Sequence, residues 1–266
     1  MSLTHAIPEQ DRSFRAWNVD GRNTHLIPNV YRIDEHRLRG SEWPATRCLQ
    51  GLSSNRMSEL VEKKLHNPSS TTTCEHCTSS SISPERTETY NLGLLPSSDP
   101  LCTISCYHDF TASHFSHPLI ELRGPGPLGY GAFVRRGITI KKDQWVGEYI
   151  GELRPIKRVN RDLKIYGKQS MYRFDIPVEG KEDVVVVDSE QKGNWSRFVN
   201  SSCGANLIVW ATFVGKRHVL LLRAKKDIKE GEELTFSYGK AYFDAAGISC
   251  RCGAREGMHM PGSWRK

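Results

Sequence analysis

The chain is 266 residues long, enough for one sizeable domain with an appendage or for two small ones. Hydrophobic residues make up 38% and charged residues 25%, the balance of a rather polar soluble globular protein, and no apolar run approaches the roughly 20 residues of a membrane helix. The net charge of +7 is unevenly placed: residues 121–266 hold 26 Lys and Arg against 17 Asp and Glu, whereas residues 1–120 hold 11 against 13.

The start, MSLTHAIPEQDRSF, lacks the basic-then-apolar pattern of a secretory signal, which predicts an intracellular chain. The basic second half suits an anionic partner such as DNA-wrapped protein, and a solvated basic surface accounts for it equally well. Its basic clusters, at Arg135, Arg136, Lys141 and Lys142 and at Lys225, Lys226 and Lys229, have no interleaved aromatic series, which argues against direct base reading. Eight cysteines, at 48, 74, 77, 102, 106, 203, 250 and 252, point to metal ligands or buried thiols rather than a disulfide framework.

In chain order, residues 1–66 are mixed and polar, and Met57, Leu60, Val61 and Leu65 predict one face of a helix over 56–66. Residues 67–100 contain NPSSTTT, TSSSISPERTET and PSSDP, a composition that buries little apolar surface and predicts a linker between two units. Cys74 and Cys77, with Cys102 and Cys106, either enclose one zinc across a long finger or are isolated buried thiols in a loosely folded leader, with Cys48 alone. His114 and His117 read as surface residues. From Pro118 short apolar runs alternate with glycine and charged turns. LIELRGPGPLGYGAFVRRGITIKKDQWVGEYIGEL reads as strand, Gly-rich turn, strand, turn, strand. MYRFDI, EDVVVVDS, LIVWATFVGKRHVLLLRAKKDI and ELTFSY add further strands, with a hairpin turn at GKR (215–217) and one helical turn near 194–198. The expected class is mainly β.

Taken in order, GYGAF (129–133), GEYIGEL (147–153), Tyr172 of MYRFDI, VDSEQKGNWSRFVNSSCGAN (187–206) and GEELTFSYG (231–239) resemble the SET domain of protein-lysine methyltransferases. CRCG (250–253) is similar to the start of a post-SET zinc segment. The resemblance, over about half the chain, implies a SET-domain β-clip fold of several small sheets with a knot-like C-terminal crossing and an irregular N-terminal region. It divides the chain into an N-terminal region (1–117), a SET domain (118–243) and a post-SET-like segment (244–266). It further implies S-adenosylmethionine as cofactor and a histone or nucleosome as protein substrate. Non-specific DNA contact and a nuclear, chromatin-bound or otherwise cytoplasmic chain go with it, and no membrane partner.

The chemistry makes sense of these residue types. Methyl transfer from a sulfonium to a lysine amine needs in-line alignment, a neutral amine and exclusion of water, and positioning matters more than covalent help. Lysine titrates at about 10.4 in water, so a low-dielectric channel lined by tyrosines favours its neutral form. By the resemblance, Tyr238 has its hydroxyl beside the transferring methyl, Tyr149 and Tyr172 are further channel tyrosines, and Phe236 leaves room for di- or trimethylation. Gly129, Tyr130 and Gly131 present main-chain groups to the cofactor. Arg197, Phe198 and Asn200 shape its pocket, Tyr172 lies near it, and Ser201 stands where the family carries histidine. The plain alternatives are a β-turn for the glycines, a corner between strands for RFVN, and a core tyrosine for Tyr238.

Three departures from the family pattern bear on function. If the missing histidine contributes its backbone, Ser201 preserves the cofactor contact; if its ring packs on the adenine, affinity falls. Ser237 replaces an aspartate and Ala205 a proline, both affecting rigidity. Cys203, Cys250 and Cys252 match three post-SET zinc ligands, but Gly257 stands where the fourth cysteine is expected; either His259 completes the set or the site is lost. The first-half cysteines do not reproduce the nine-cysteine pre-SET cluster of heterochromatin histone methyltransferases. A catalytically impaired SET-like chromatin or protein-binding module is the competing reading.

Overall fold

The structure is a computed structural model and describes residues 13–18, 22–34, 36–39, 65, 104–115, 118–167, 170–176, 185–215, 217–253 and 259. Thirteen strands dominate it. β1 (Ser13–Trp17), β2 (Thr24–Arg32) and β3 (Arg37–Leu38) precede helix α1 (Ile104–Phe115), followed by β4 (Ile120–Gly126), β5 (Gly129–Val134), β6 (Trp145–Glu148) and β7 (Gly151–Pro155). Helix α2 (Ile156–Tyr166), β8 (Arg173–Ile176), β9 (Val185–Gly193), a 3-10 turn (Trp195–Phe198) and β10 (Asn200–Ser201) come next. β11 (Leu207–Val214), β12 (Arg217–Ala224), β13 (Thr235–Phe236) and α3 (Gly239–Ala246) complete the order.

Three sheets result: β3-β7-β9-β2-β1-β4-β5 with β8 on β9, the antiparallel set β11-β12-β6, and the pair β10-β13. β11 and β12 form the expected hairpin, Val214 opposite Arg217, with Gly215 at φ +63 opening the two-residue turn. β10 and β13 run parallel, Asn200 opposite Thr235 and Ser201 opposite Phe236, so the two long signatures lie side by side. The glycine of GEYIGEL at 151 is demanded by close approach, since a Cβ there would meet Ser189 Oγ at 2.5 Å and the Asp188 carbonyl oxygen at 2.7 Å. The 3-10 turn is where the sequence predicts a helical turn, and Asn194 caps it by accepting the Ser196 N–H at 3.1 Å.

The sequence places no strand before Pro118, yet β1 to β3 are built into the large sheet. β1 alternates, burying Phe14 and Ala16 and exposing Arg15 and Trp17. Phe14, Ala16 and Ile27 share one core with Leu122, Val146, Leu222 and Leu234. These strands pair over long range, Tyr31 with Lys192 and Arg37 with Glu152, and nothing in a short polar run signals such a partner. α2 is also unanticipated: IKRVNRDLKIY buries only Val159, so its apolar stripe is too thin to read as helical, and it ends where Gly167 at φ +62 donates its N–H to Leu163. Of the helix expected over 56–66, only Leu65 is among the described residues; it is helical and fully buried against Tyr149, Leu153 and Leu220. Among the described residues no helix is long and apolar enough to cross a membrane.

His218 of β12 is buried against Phe213, ring centroids 3.9 Å apart, and burial pushes its pKa down to about 4. Its folded pKa is below the unfolded value near 6.5, so its stabilisation is complete above pH 6.5 and is lost as pH falls towards 4, where the unfolded chain takes the proton first. The full effect is about 3 kcal/mol. Urea melts at several pH values in this window should show a shallower pH dependence for His218→Phe; parallel curves would refute the assignment.

Candidate active site

The fold forms a cavity of about 290 Å³ whose walls include Tyr149, Tyr172, Phe174, Arg197, Phe236, Tyr238 and Tyr242. Tyr149 follows β6 and is anchored by its N–H to the Leu220 carbonyl at 2.8 Å, while its hydroxyl donates to the Tyr172 carbonyl at 3.0 Å. Tyr238 precedes α3, its N–H donating to Ser201 Oγ at 3.2 Å and its hydroxyl to the Val199 carbonyl at 2.8 Å. The rings form a continuous wall: Tyr149 to Phe174 is 4.7 Å between centroids, Phe174 to Phe236 5.7 Å, Phe236 to Tyr238 5.2 Å and Tyr238 to Tyr242 4.5 Å. Burial pushes the pKa of both Tyr149 and Tyr238 upward, so both phenols are neutral at physiological pH.

Arg197 stiffens one side. Its Nε donates to the Ser189 carbonyl at 2.8 Å, a terminal nitrogen donates to the Glu190 carbonyl at 3.2 Å, and its guanidinium lies 4.4 Å from the Tyr172 ring centre. Burial lowers its pKa, opposed by the neighbouring tyrosines. The described wall carries one carboxylate, Asp175, which lies 3.8 Å from Arg173 and is half-exposed.

Five of the residues singled out in the sequence thus converge on the cavity: Tyr149, Tyr172, Arg197, Phe236 and Tyr238. The other six gather beside it, not in its wall. Asn200 Nδ2 donates to the Tyr130 carbonyl at 3.2 Å and to Glu233 Oε1 at 2.7 Å. A Cβ on Gly131 would meet the same Glu233 oxygen at 2.6 Å, so glycine is what admits this carboxylate. Phe198 packs on Phe14 at 5.0 Å and on Tyr130 at 6.1 Å, and Gly129, at φ +83, has open space where a Cβ would be. Ser201, in the changed position, links the two groups through its bond from Tyr238 N–H. Sequence reading missed Phe174, Tyr242 and Glu233. Tyr242 carried a signal: it lies one helical turn after Tyr238, the spacing that brings side chains onto one helix face.

Cys203, Cys250, Cys252 and His259 form a second cluster, all four ligand atoms within 4.8 Å of one another. Tetrahedral zinc with bonds of about 2.3 Å to sulfur and 2.05 Å to nitrogen requires S···S near 3.8 Å and S···N near 3.6 Å. Cys203 Sγ lies 3.7 Å from Cys250 Sγ and 3.3 Å from His259 Nδ1, and Cys252 Sγ lies 3.8 Å from His259 Nδ1. The donor set fits zinc, and His259 fills the place of the missing fourth cysteine. Burial, with the adjoining Cys252 and Cys203 thiols, pushes the Cys250 thiol up to about 12, so without a cation this sulfur holds its proton. Native mass spectrometry should find one zinc per chain here, and His259→Ala should weaken retention against a chelator by about 10-fold or more; full retention would show that His259 is not a ligand. Among the described residues no other such group occurs; Cys106 is buried in α1, and Cys48, Cys74, Cys77 and Cys102 lie outside the described residues.

The tyrosine-walled cavity and the two signatures in parallel register lie within residues 129–239, with the Cys3His cluster at their edge, and these residues match the family described as the SET domain. Three relatives give its nearer surroundings. The histone-lysine N-methyltransferase Su(var)3-9 of Drosophila pseudoobscura pseudoobscura is 32% identical over 168 residues, 58% of this chain and 26% of that protein. Histone-lysine N-methyltransferase SUV39H1 of Xenopus laevis is 35% identical over 142 residues, 52% of this chain and 33% of its own length. The H3 lysine-36 specific histone-lysine N-methyltransferase of Schizosaccharomyces pombe is 32% identical over 155 residues, 58% and 19% respectively. The chain therefore spans between 19% and 33% of the length of these relatives.

Proposed function

We propose that the chain is a protein-lysine N-methyltransferase that uses S-adenosylmethionine and acts on a histone lysine in the nucleus, with non-specific DNA contact supplied by its basic half. The observation that carries this reading is the cavity in which Tyr149 and Tyr238 each commit a hydroxyl proton to a backbone carbonyl. Their oxygens keep lone pairs for an incoming amine or for polarised methyl C–H groups. The names of the relatives, all histone-lysine N-methyltransferases, support a histone acceptor.

S-adenosylmethionine supplies an electrophilic methyl on a sulfonium cation. The residues present suit it: backbone at Gly129 is open to a ligand, Glu233 and Asn200 offer a carboxylate and an amide beside it, and an aromatic wall favours a cation. In this reading the lysine leaves its proton in water, because among the described residues the walls offer apolar rings and neutral phenols but no buried base. The nitrogen lone pair then forms the N–C bond as the S–C bond breaks, and the methylammonium releases a proton to solvent before another round. Phe236, buried and without a hydroxyl to order a blocking water, favours di- or trimethylation.

Ser201 supports the competing reading of an impaired binding module, although here its hydroxyl holds the Tyr238 backbone. Calorimetry separates the two: S-adenosylmethionine binds the methyltransferase, whereas no heat at millimolar cofactor with a folded sample sinks it. Mass spectrometry of a histone mixture incubated with labelled cofactor then identifies the acceptor.

A further inference from the structure

The two basic clusters of the sequence are far apart in the chain, with 85 positions between Lys142 and Asp227, and the fold brings them together. Ile140 and Ile228 exchange both backbone hydrogen bonds, at 2.9 and 2.8 Å, and both are fully buried. The Asp143 N–H donates to the Ala224 carbonyl at 2.9 Å, and the Lys142 N–H to Asp227 Oδ1 at 2.8 Å. With the isoleucines inside, Arg135, Arg136, Lys142, Lys225, Lys226 and Lys229 are all exposed around one bridge.

Of the acidic groups in these segments, Asp143 and Asp227 are ion-paired, while Glu230 and Glu232 accept backbone N–H groups and keep their charge, so the exposed cations still outnumber the unpaired carboxylates. Asp227 is paired with Lys141 at 3.0 Å, Glu230 accepts the Gly137 N–H at 2.6 Å, Glu232 accepts the Lys229 N–H at 3.1 Å, and Asp143 accepts from Arg223. None of the six exposed cations is in an ion pair with a described residue. Concentrating like charge this way is electrostatically unfavourable unless an anion covers it.

The chemistry of the surface selects the anion. Segments 135–144 and 223–232 contain no aromatic residue, and exposed Trp210, 5.9 Å from Arg223 at one end of the face, is a single ring rather than the series of stacking platforms a single strand needs. None of the large exposed hydrophobic side chains belongs to either segment; Ile208 and Trp210 lie at the Arg223 edge, so the face has no apolar centre of the kind a protein interface has. What is left is a set of flexible cations suited to repeated phosphates. We infer that the face formed by residues 135–142 and 223–229 docks on the sugar-phosphate backbone of duplex DNA without sequence preference. None of its residues lines the cavity, so docking and methyl transfer are separable.

The test measures fluorescence anisotropy of a labelled 30-base-pair duplex, of about that length, over a salt series, with the full chain and with K142E/K225E/K226E. Each lost phosphate contact lowers the slope of log K against log salt by about 0.9, so the variant should lose about two to three units of slope and about 10-fold or more in affinity. K157E/R161E/K164E on α2 makes the same charge change elsewhere and should keep the slope. K142Q/K225Q/K226Q, milder in charge, should fall in between, and thermal melts show that each variant is folded. Equal losses in the α2 variant, no duplex binding by the parent chain, or binding of polyglutamate as tight as duplex at the same salt would each overturn the docking face. Methylation of a histone-tail peptide should be unchanged in K142E/K225E/K226E. A chain inactive on peptides that still shows the slope change keeps this face and loses the methyltransferase reading instead.

Discussion

Tyr238→Phe should leave the chain folded and its S-adenosylmethionine affinity within about twofold, while methyl transfer falls by about 100-fold or more, the scale of losing one transition-state hydrogen-bonding group. The phenol oxygen is the atom in question. Its proton goes to the Val199 carbonyl at 2.8 Å, so the oxygen of this cavity-lining residue keeps its lone pairs as an acceptor, and phenylalanine keeps the ring contacts with Phe236 and Tyr242 while deleting that acceptor. Loss of the Val199 bond costs about 1 kcal/mol of stability, too little to unfold a domain. Initial rates with labelled cofactor, beside calorimetry, separate the outcomes. Unchanged turnover would refute the role of Tyr238, and loss of cofactor binding would make it a structural residue.

Glu148→Ala should cost about 3–5 kcal/mol of stability, because it strands partners gathered round a buried carboxylate. Glu148 ends β6 immediately before Tyr149 and is 3% exposed. It lies 3.1 Å from His36 Nε2, accepts the Tyr107 hydroxyl at 2.7 Å and lies 3.9 Å from Arg217, whose guanidinium is stacked 3.9 Å from the Tyr107 ring centre. Burial raises its pKa, but the His36 bond, the Arg217 charge and the Tyr107 bond outweigh it, so the pKa is lowered. Its contribution is therefore present above the ordinary carboxyl range and is lost as pH falls through the folded value. Urea denaturation at neutral pH checks the magnitude; a loss under about 1 kcal/mol would show that the network is not coupled to global folding. Glu148→Gln, which keeps the shape but not the charge, should fall between.

This network also explains what the sequence concealed. Two of the partners of Glu148, His36 and Tyr107, belong to the stretch read as an irregular leader, and neither carries a local sign of a carboxylate over 40 positions away. Strand periodicity made the β11–β12 hairpin and the apolar run at 185–187 legible, because alternation and turn residues are local properties. The pairing of β2 with β9 and the docking of Leu65 under Tyr149 are tertiary, and propensity does not encode them. The cavity was legible where a motif named its residue, as for Tyr149, Phe236 and Tyr238. It was hidden where an unmarked residue, Phe174 or Tyr242, supplied the wall. His259 was legible only as an option, since its approach to Cys203, 56 positions away, is a tertiary contact.

The Cys3His cluster has a topological consequence. Cys203 and Cys250, 47 positions apart, are the ends of a circuit that contains β11, β12, GEELTFSYG and α3. A cation holding both ends acts as a removable cross-link, restricting the unfolded chain much as a covalent staple over a loop of that size would. Tyr238 travels inside the circuit and Asn200 just outside it, so such a clasp reinforces the placement that the β10–β13 pairing sets, and it can be opened without breaking a bond in the backbone.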